Sequence, residues 1–382
     1  MVKLNVKVKL GLKRKPLIKE AYIGTSSITY YHGVYYMKIN AQNHYDAGLI
    51  QGKLLKKVKH PALRLTKKIL HRIPLTFLYL YVKKHLKGLS IPKEHIEELK
   101  GMAKGAGVSY RLLYLSNFIY DIFKKLGFHC STFSFFNGDS LLVGRNTDIK
   151  PTWTRGSLKY AKSLVIKMSI KGYNTYHHVS VPFFSGVING FNEHGIVVNS
   201  HRVAYCHEDT FESGLASSTY MRQILEGTKN MAQVRKYIAN NFPVRSVTLQ
   251  VTSEKEKQIS VFERNPFDYE EIKSKSNKLW CTTHFKTKKM SKYHYGSIKG
   301  SLLRQKTFED FFKGRRTLSI QDSIFLLQDQ SNGLKHLETG SSIANRGTVQ
   351  SFILDVTNKK IIISNGSKAP VSRSGKFVEI DL

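Results

Sequence analysis

Cysteine is scarce in this sequence. Cys130, Cys206 and Cys281 are three in number and far apart, which excludes a disulfide scaffold and points to a reducing, cytosolic compartment. Long apolar runs are missing as well. None reaches the ~18 residues of a membrane span. The first twenty residues alternate Val, Leu and Lys without an apolar stretch, so they do not read as a signal peptide. No internal repeat or low-complexity linker divides the chain, and no nucleic-acid-binding motif is present. The glycines of Gly101 to Gly107 do not follow a strand, which excludes a phosphate loop.

Acidic residues are the other shortage: 27 Asp and Glu against 61 Lys and Arg, a net charge of +34. Residues 47–93 carry twelve Lys and Arg and no acid. Such a block attracts phosphates, anionic lipid or nucleic acid. A generally Lys-rich proteome would produce the same excess. Residues 61–87 are basic and apolar together. They read as a buried helix with solvated Lys flanks, ahead of an amphipathic helix lying on anionic lipid.

What is present is a core. Hydrophobic residues make up 41% and aromatic residues 11% of the 382, enough for one large domain. Residues 1–39 read as extended. A helix follows from Asn43, with Gly48 and Gly52 four apart so that another element can approach closely. Pro92 opens a second helix and Ser109 caps a third, Tyr110 to Phe123. Strands are expected at 163–170, 176–181, 186–188, 196–200, 246–252 and 258–263, and a hairpin at 348–355 and 360–364. Helices are expected at 217–226, 231–239, 301–312 and 319–327.

The densest chemistry lies at 129–148. Cys130 precedes a β-prone run, Ser131 to Phe136, and Asn137-Gly138 is a hairpin signal. The return, Ser140 to Val143, ends in Gly144-Arg145-Asn146-Thr147-Asp148. A hairpin brings the end of its second strand beside the start of its first. Thiol, guanidinium and carboxylate of Cys130, Arg145 and Asp148 are therefore expected together.

Cys-Ser-Thr-Phe, the hairpin and Gly-Arg-Asn-Thr-Asp resemble the nucleophile segment of the N-terminal-nucleophile hydrolases, in the penicillin acyltransferase and linear-amide hydrolase group related to choloylglycine hydrolases. The resemblance implies an α+β fold, a four-layer αββα sandwich of two mainly antiparallel sheets between helical layers. It also implies self-cleavage at His129–Cys130. Residues 1–129 become a precursor or α-chain segment of the same domain, and 130–382 a β-chain that stays associated with it. Cys130, Asp148, Arg145 and Asn199 are the implied catalytic residues, with Asn199 as oxyanion donor after the Gly190–Gly195 turn. Thr283 and Arg304 are the implied substrate contacts, and Thr283 stands where the family usually carries Asn.

The activity implied is that of a cysteine amidohydrolase or acyltransferase. It would cleave a linear amide C–N bond of a small N-acyl compound through a Cys130 thioester, with no cofactor and no metal. An α-amine titrates near ~8 and a thiol near ~8.5, so the two are matched for proton exchange. Acyl-CoA as donor and an anionic membrane surface suit the charge; no specific nucleic acid is expected. Other readings stay open at this level. Cys130 is a buried hydrophobe or the uncleaved partner of His201 or His284, Asn199 is a turn residue, or the chain is a basic membrane- or polyanion-binding protein without catalysis. His201, Cys206 and His207 match no common zinc spacing.

Overall fold

A computed structural model describes residues 19–64, 66, 75–85, 88–122, 129–149, 163–203, 206–207, 213–332 and 340–382. Residues 1–18 of the stretch expected to be extended and part of the 61–87 segment lie outside the described residues. Strands β1 (Lys19–Ile23), β2 (Ser26–Tyr31) and β3 (Val34–Ala41) come first. They are followed by α1 (His44–Lys57), α2 (Leu75–His85), β4 (Leu89–Ser90), α3 (Lys93–Ala106) and α4 (Tyr110–Ile122). Next come β5 (Ser131–Asn137), β6 (Ser140–Asp148), β7 (Leu164–Ile170), β8 (Tyr176–Ser180), β9 (Asn189–Asn192), β10 (Ile196–Arg202) and β11 (Gly214–Leu215). Helices α5 (Ser217–Gly227) and α6 (Met231–Asn240) lead to β12 (Val247–Ser253), β13 (Gln258–Arg264), β14 (Tyr269–Lys273) and β15 (Lys278–Cys281). The remainder is α7 (Lys288–Ser291), α8 (Lys299–Phe312), α9 (Ile320–Leu327), β16 (Thr348–Asp355), β17 (Lys360–Ser364), α10 (Val371–Ser374) and β18 (Phe377–Asp381).

Two large sheets result. One runs β1-β2-β3-β7-β8-β9-β10-β12-β13-β14 and the other β15-β5-β6-β16-β17-β18. Every neighbouring pair in the second is antiparallel. In the first, β3 and β7 run parallel, and the crossover between them carries the helices α1 to α4 and the β5–β6 hairpin. Three apolar clusters hold these parts. One joins α1, α3, α4, α5 and α6 to one face of the ten-stranded sheet. A second takes Val34, Val165 and Val197 from that sheet and Val143, Phe352 and Ile363 from the six-stranded one. The third packs Phe133, Phe135 and Ile353 against Phe308 and Phe312 of α8 and Leu326 of α9.

The small residues of α1 do what their spacing requires. A Cβ on Gly48 would fall on the Glu98 main-chain oxygen, and one on Gly52 on that of Met102. Gly101 and Gly105 of α3 answer with the same intimacy against Tyr45 and Leu49. Two helix backbones thus touch, and no methyl fits between them. Gly48→Ala is expected to destabilise the fold by about 1–3 kcal/mol or more through overpacking, read as a lowered urea midpoint at unchanged slope.

Two expectations are corrected here. Gly186 to Ile188 is not a strand; pairing begins at Asn189, where β9 joins β8 and β10. The apolar helix of the 61–87 segment is buried on one side only: Val82 of α2 enters the core while Phe77, Leu80 and Tyr81 face water. Among the described residues, no helix is long and apolar enough to cross a membrane.

Candidate active site

The hairpin forms because each face of both strands has a partner. Phe133 and Phe135 point to α8 and α9, while Thr132 and Ser134 point to the ten-stranded sheet. There they bond His201 Nε2 (2.7 Å) and Thr252 Oγ1 (2.9 Å). The loop itself is Gly138-Asp139, because Asn137 and Ser140 still pair. Gly138 takes a φ of +58° that suits glycine. The pairing puts Thr132 opposite Arg145 and Ser131 opposite Asn146, so Cys130, Arg145 and Asp148 lie at one end of the hairpin.

Cys130 is only 3% exposed. Its thiol contacts the Asp148 main-chain oxygen at 4.0 Å, and the His129 amide donates to that oxygen at 3.3 Å. Burial pushes the thiol pKa up, while the positive charge of Arg145 opposes it and the Asp148 carboxylate adds to it. The Asp148 carboxyl is fully buried. Oδ2 accepts from Asn345 Nδ2 at 2.6 Å, and Oδ1 has no hydrogen-bond partner among the described residues. Burial raises this carboxyl to about 7 against the pull of Arg304. It is therefore poised to gain or lose a proton near neutrality.

Arg304 reaches the seam from α8. Nη1 donates to the main-chain oxygens of His129 and of Cys130 (2.6 Å) and to Ser131 Oγ (2.9 Å). Nη2 donates to Thr283 Oγ1 at 2.9 Å. Burial lowers Arg304 to about 10, which leaves it charged at neutral pH. Thr283 is placed as a brace: its amide donates to Ser301 Oγ at 2.9 Å while its hydroxyl takes the guanidinium. Arg145 spans the two sheets, Nη2 to the Ser200 main-chain oxygen (2.7 Å) and Nε to Thr147 Oγ1 (3.1 Å).

Asn199 lies on β10 beside that Ser200 contact. Val197 sits in the inter-sheet cluster and His201 bonds Thr132. Alternation along the strand therefore turns Asn199 toward the six-stranded sheet. Its Oδ1 has no hydrogen-bond partner among the described residues. The site thus gathers Cys130, Arg145, Asp148, Thr283 and Arg304, with Asn199 on the facing strand. It also contains Asn345, Ser131 and Ser301, which sequence reasoning did not single out. Asn345 opens an Asn-Arg-Gly turn in which its side chain accepts from the Gly347 amide at 2.8 Å; that turn chemistry was readable, its meeting with Asp148 was not.

The histidine alternatives fall away. Among the described residues the thiol's one hydrogen bond goes to the Asp148 main-chain oxygen. His201 is spent on Thr132 and held well below its usual pKa by burial. His284 bonds Ser301 Oγ at 2.9 Å and is held at about 3, again by burial. Cys206 packs with Val203, Phe285 and Met290 and contacts His294 at 3.7 Å. His201, Cys206 and His207 therefore do not converge. Among the described residues one group has metal-like spacing, His44, His95 and Glu226. Its carboxylate already receives both imidazoles at 3.3 Å and Arg222 Nε at 2.7 Å, an ion-pair network that accounts for the cluster without a metal.

The sequence model of the acyl-coenzyme A:6-aminopenicillanic acid acyl-transferase family matches residues 136–370, beginning inside β5 beyond Cys130. No curated protein matches the chain. Among solved structures, an N-acylethanolamine-hydrolyzing acid amidase ortholog from Caenorhabditis elegans is 16% identical with a TM-score of 0.44. It covers 59% of this chain and 93% of its own. A conjugated bile acid hydrolase from Clostridium perfringens is 11% identical with a TM-score of 0.39, covering 62% of this chain and 89% of its own.

Proposed function

We propose, from the premise that this chain belongs to the acyl-coenzyme A:6-aminopenicillanic acid acyl-transferase family, that it is an N-terminal-nucleophile cysteine enzyme matured by its own cleavage. The observation that carries the reading is Arg304, whose Nη1 holds the carbonyls on both sides of a buried cysteine next to an ionisable carboxyl. Structure alone gives little reason to bury a cation on the bond preceding a thiol.

In the first stage Cys130 Sγ attacks the His129 carbonyl carbon, and Arg304 steadies the charge that develops on its oxygen. The C–N bond breaks as the Cys130 nitrogen takes up the proton lost by the thiol, leaving a thioester to His129. Water hydrolyses that thioester and restores the thiol beside a free α-amine. In the second stage the amine accepts the thiol proton. The thiolate then attacks the acyl carbon of a small linear N-acyl compound, and the amine product leaves with a proton. Asn199 and main-chain N–H groups hold the oxyanion, Asp148 orients the α-amine, and Arg145 favours the thiolate. Water completes hydrolysis; a second amine or thiol completes acyl transfer. The +34 charge supports an anionic acyl donor such as acyl-CoA, from which the CoA thiol, rather than an amine, leaves with the proton as the Cys130 thioester forms.

The three apolar clusters support reading the layers as an αββα sandwich. Residues 1–129 are then the α-chain of one domain and 130–382 its β-chain. Glu98 of the first bonds Arg222 of the second at 2.6 Å with both side chains buried, a contact that supports lasting association after cleavage. A cytosolic enzyme is the reading that three buried cysteines outside any disulfide support. Intact mass of purified protein tests the whole proposal. Fragments of about 15 and 29 kDa are expected, in proportion to 129 and 253 residues of a 43.7 kDa chain. The larger should begin Cys-Ser-Thr-Phe, and a single uncut chain that turns over N-acyl substrates would sink it.

The Asp148 carboxyl adds a pH signature. It is neutral below and ionised above about 7 in the uncut chain. The ionised carboxylate takes the thiol proton during the first stage and passes it to the departing Cys130 nitrogen, so self-cleavage of cell-free-synthesised chain, chased over a pH series, is expected to accelerate as pH rises through that value. After cleavage the new α-ammonium favours the carboxylate and moves its titration down, so the acid limb of kcat/KM lies at lower pH. Asp148→Asn removes the cleavage limb. Coincident limbs, or a limb that survives in Asp148→Asn, would remove Asp148 from the mechanism.

A further inference from the structure

We propose that the outward face of α2 (Leu75–His85) docks the protein on an anionic lipid bilayer. The helix is turned against the usual pattern. Val82 is buried and the Tyr79 ring packs edge-on against Tyr110 and Tyr114. At about 100° per residue, the opposite pole carries Phe77, Leu80, Tyr81 and Lys84. Phe77 is 76%, Tyr81 61% and Leu80 56% exposed. A helix on a globular surface normally presents polar residues there.

Charge selects the occupant. From Ala47 to Lys93 the chain carries twelve Lys and Arg and no acidic residue. A second copy of a +34 chain would be repelled from this face, whereas an anionic leaflet attracts it. Aromatic rings with a polar edge, such as Tyr81, settle at the headgroup level, and the lysine reaches the phosphates. Apolar burial and charge attraction together are what stable interfacial binding needs. The surface is independent of the chemistry at Cys130.

The test is co-sedimentation of the full chain with phosphatidylcholine vesicles, with or without about 30% phosphatidylserine. Binding to the anionic vesicles is expected, about tenfold or more above the neutral ones, and weakening with added salt. Phe77→Ser, Leu80→Ser and Tyr81→Ser combined are expected to lower it about tenfold or more. The melting temperature of the Phe77→Ser, Leu80→Ser pair should hold, because both side chains are exposed, and that pair alone should already lower binding severalfold. Cys130→Ala should bind as the wild type does, which separates this result from the fate of the catalytic proposal. Absence of binding at low salt overturns the docking face, as does equal binding by the triple variant. Self-association that the triple variant abolishes, without vesicle binding, also overturns it.

Discussion

Cys130→Ala is expected to leave one uncut chain of 43.7 kDa with no measurable turnover. Both stages of the proposed chemistry use the same sulfur, so both are lost together. In a serine protease, removing the nucleophile costs on the order of a million-fold in rate, and a loss of that order is expected here. Cys130→Ser should cut slowly, since a hydroxyl sits much further from its ionised form than a thiol does. The other two cysteines are the controls. Cys206 packs in an apolar cluster with Phe285 and Met290, and the Cys281 thiol lies against Thr248 Oγ1 and is pushed up to about 11 by burial. Cys206 lies in that cluster away from the seam, and Cys281, although it pairs with Thr132 on the neighbouring strand, has its thiol turned to Thr248, so Cys206→Ala and Cys281→Ala should be processed as the wild type is. The gel readout of cleavage requires no substrate, which matters for a chain whose acyl compound is unidentified. Wild-type cleavage in Cys130→Ala would end the proposal.

The hairpin was legible because its information is local. Asn137-Gly138 and the run from Ser131 place both strands, and pairing carries Arg145 and Asp148 to the thiol. The length of β6 was harder. Gly144 to Asp148 is polar and read as the end of the strand, yet it stays in the sheet to Asp148. Its polar side chains are buried because each meets a polar partner: Asn146 donates to the Leu327 and Ile343 main-chain oxygens at 2.9 Å. Composition cannot announce partners some 181 and 197 residues away. The same holds for Asn345 on Asp148. The apolar helix α2 failed for a related reason, since periodicity reports which residues share a face but not whether that face meets core or water. Arg304 was found as a matched position; its hold on the His129 carbonyl emerges only when α8 packs on the hairpin.

That hold makes Arg304 the most telling residue after Cys130. A donor aimed at a developing oxyanion is typically worth about 100- to 1000-fold in rate, so Arg304→Ala should slow self-cleavage by at least that factor. The truncation also strands the main-chain oxygens of His129 and Cys130 and empties a buried volume, so two further readouts separate loss of the donor from disorder. Arg304 is the strongest influence holding the Asp148 carboxyl down against burial. Its loss should therefore raise the pH at which cleavage accelerates above about 7, a shift that general loosening and entry of water would push the other way. Arg304→Lys keeps the cation but not the fork that spans the seam carbonyls and Thr283. Its acid limb should stay near the wild-type value while its rate remains depressed. Cleavage of Arg304→Ala at the wild-type rate would leave the guanidinium a structural brace and nothing more.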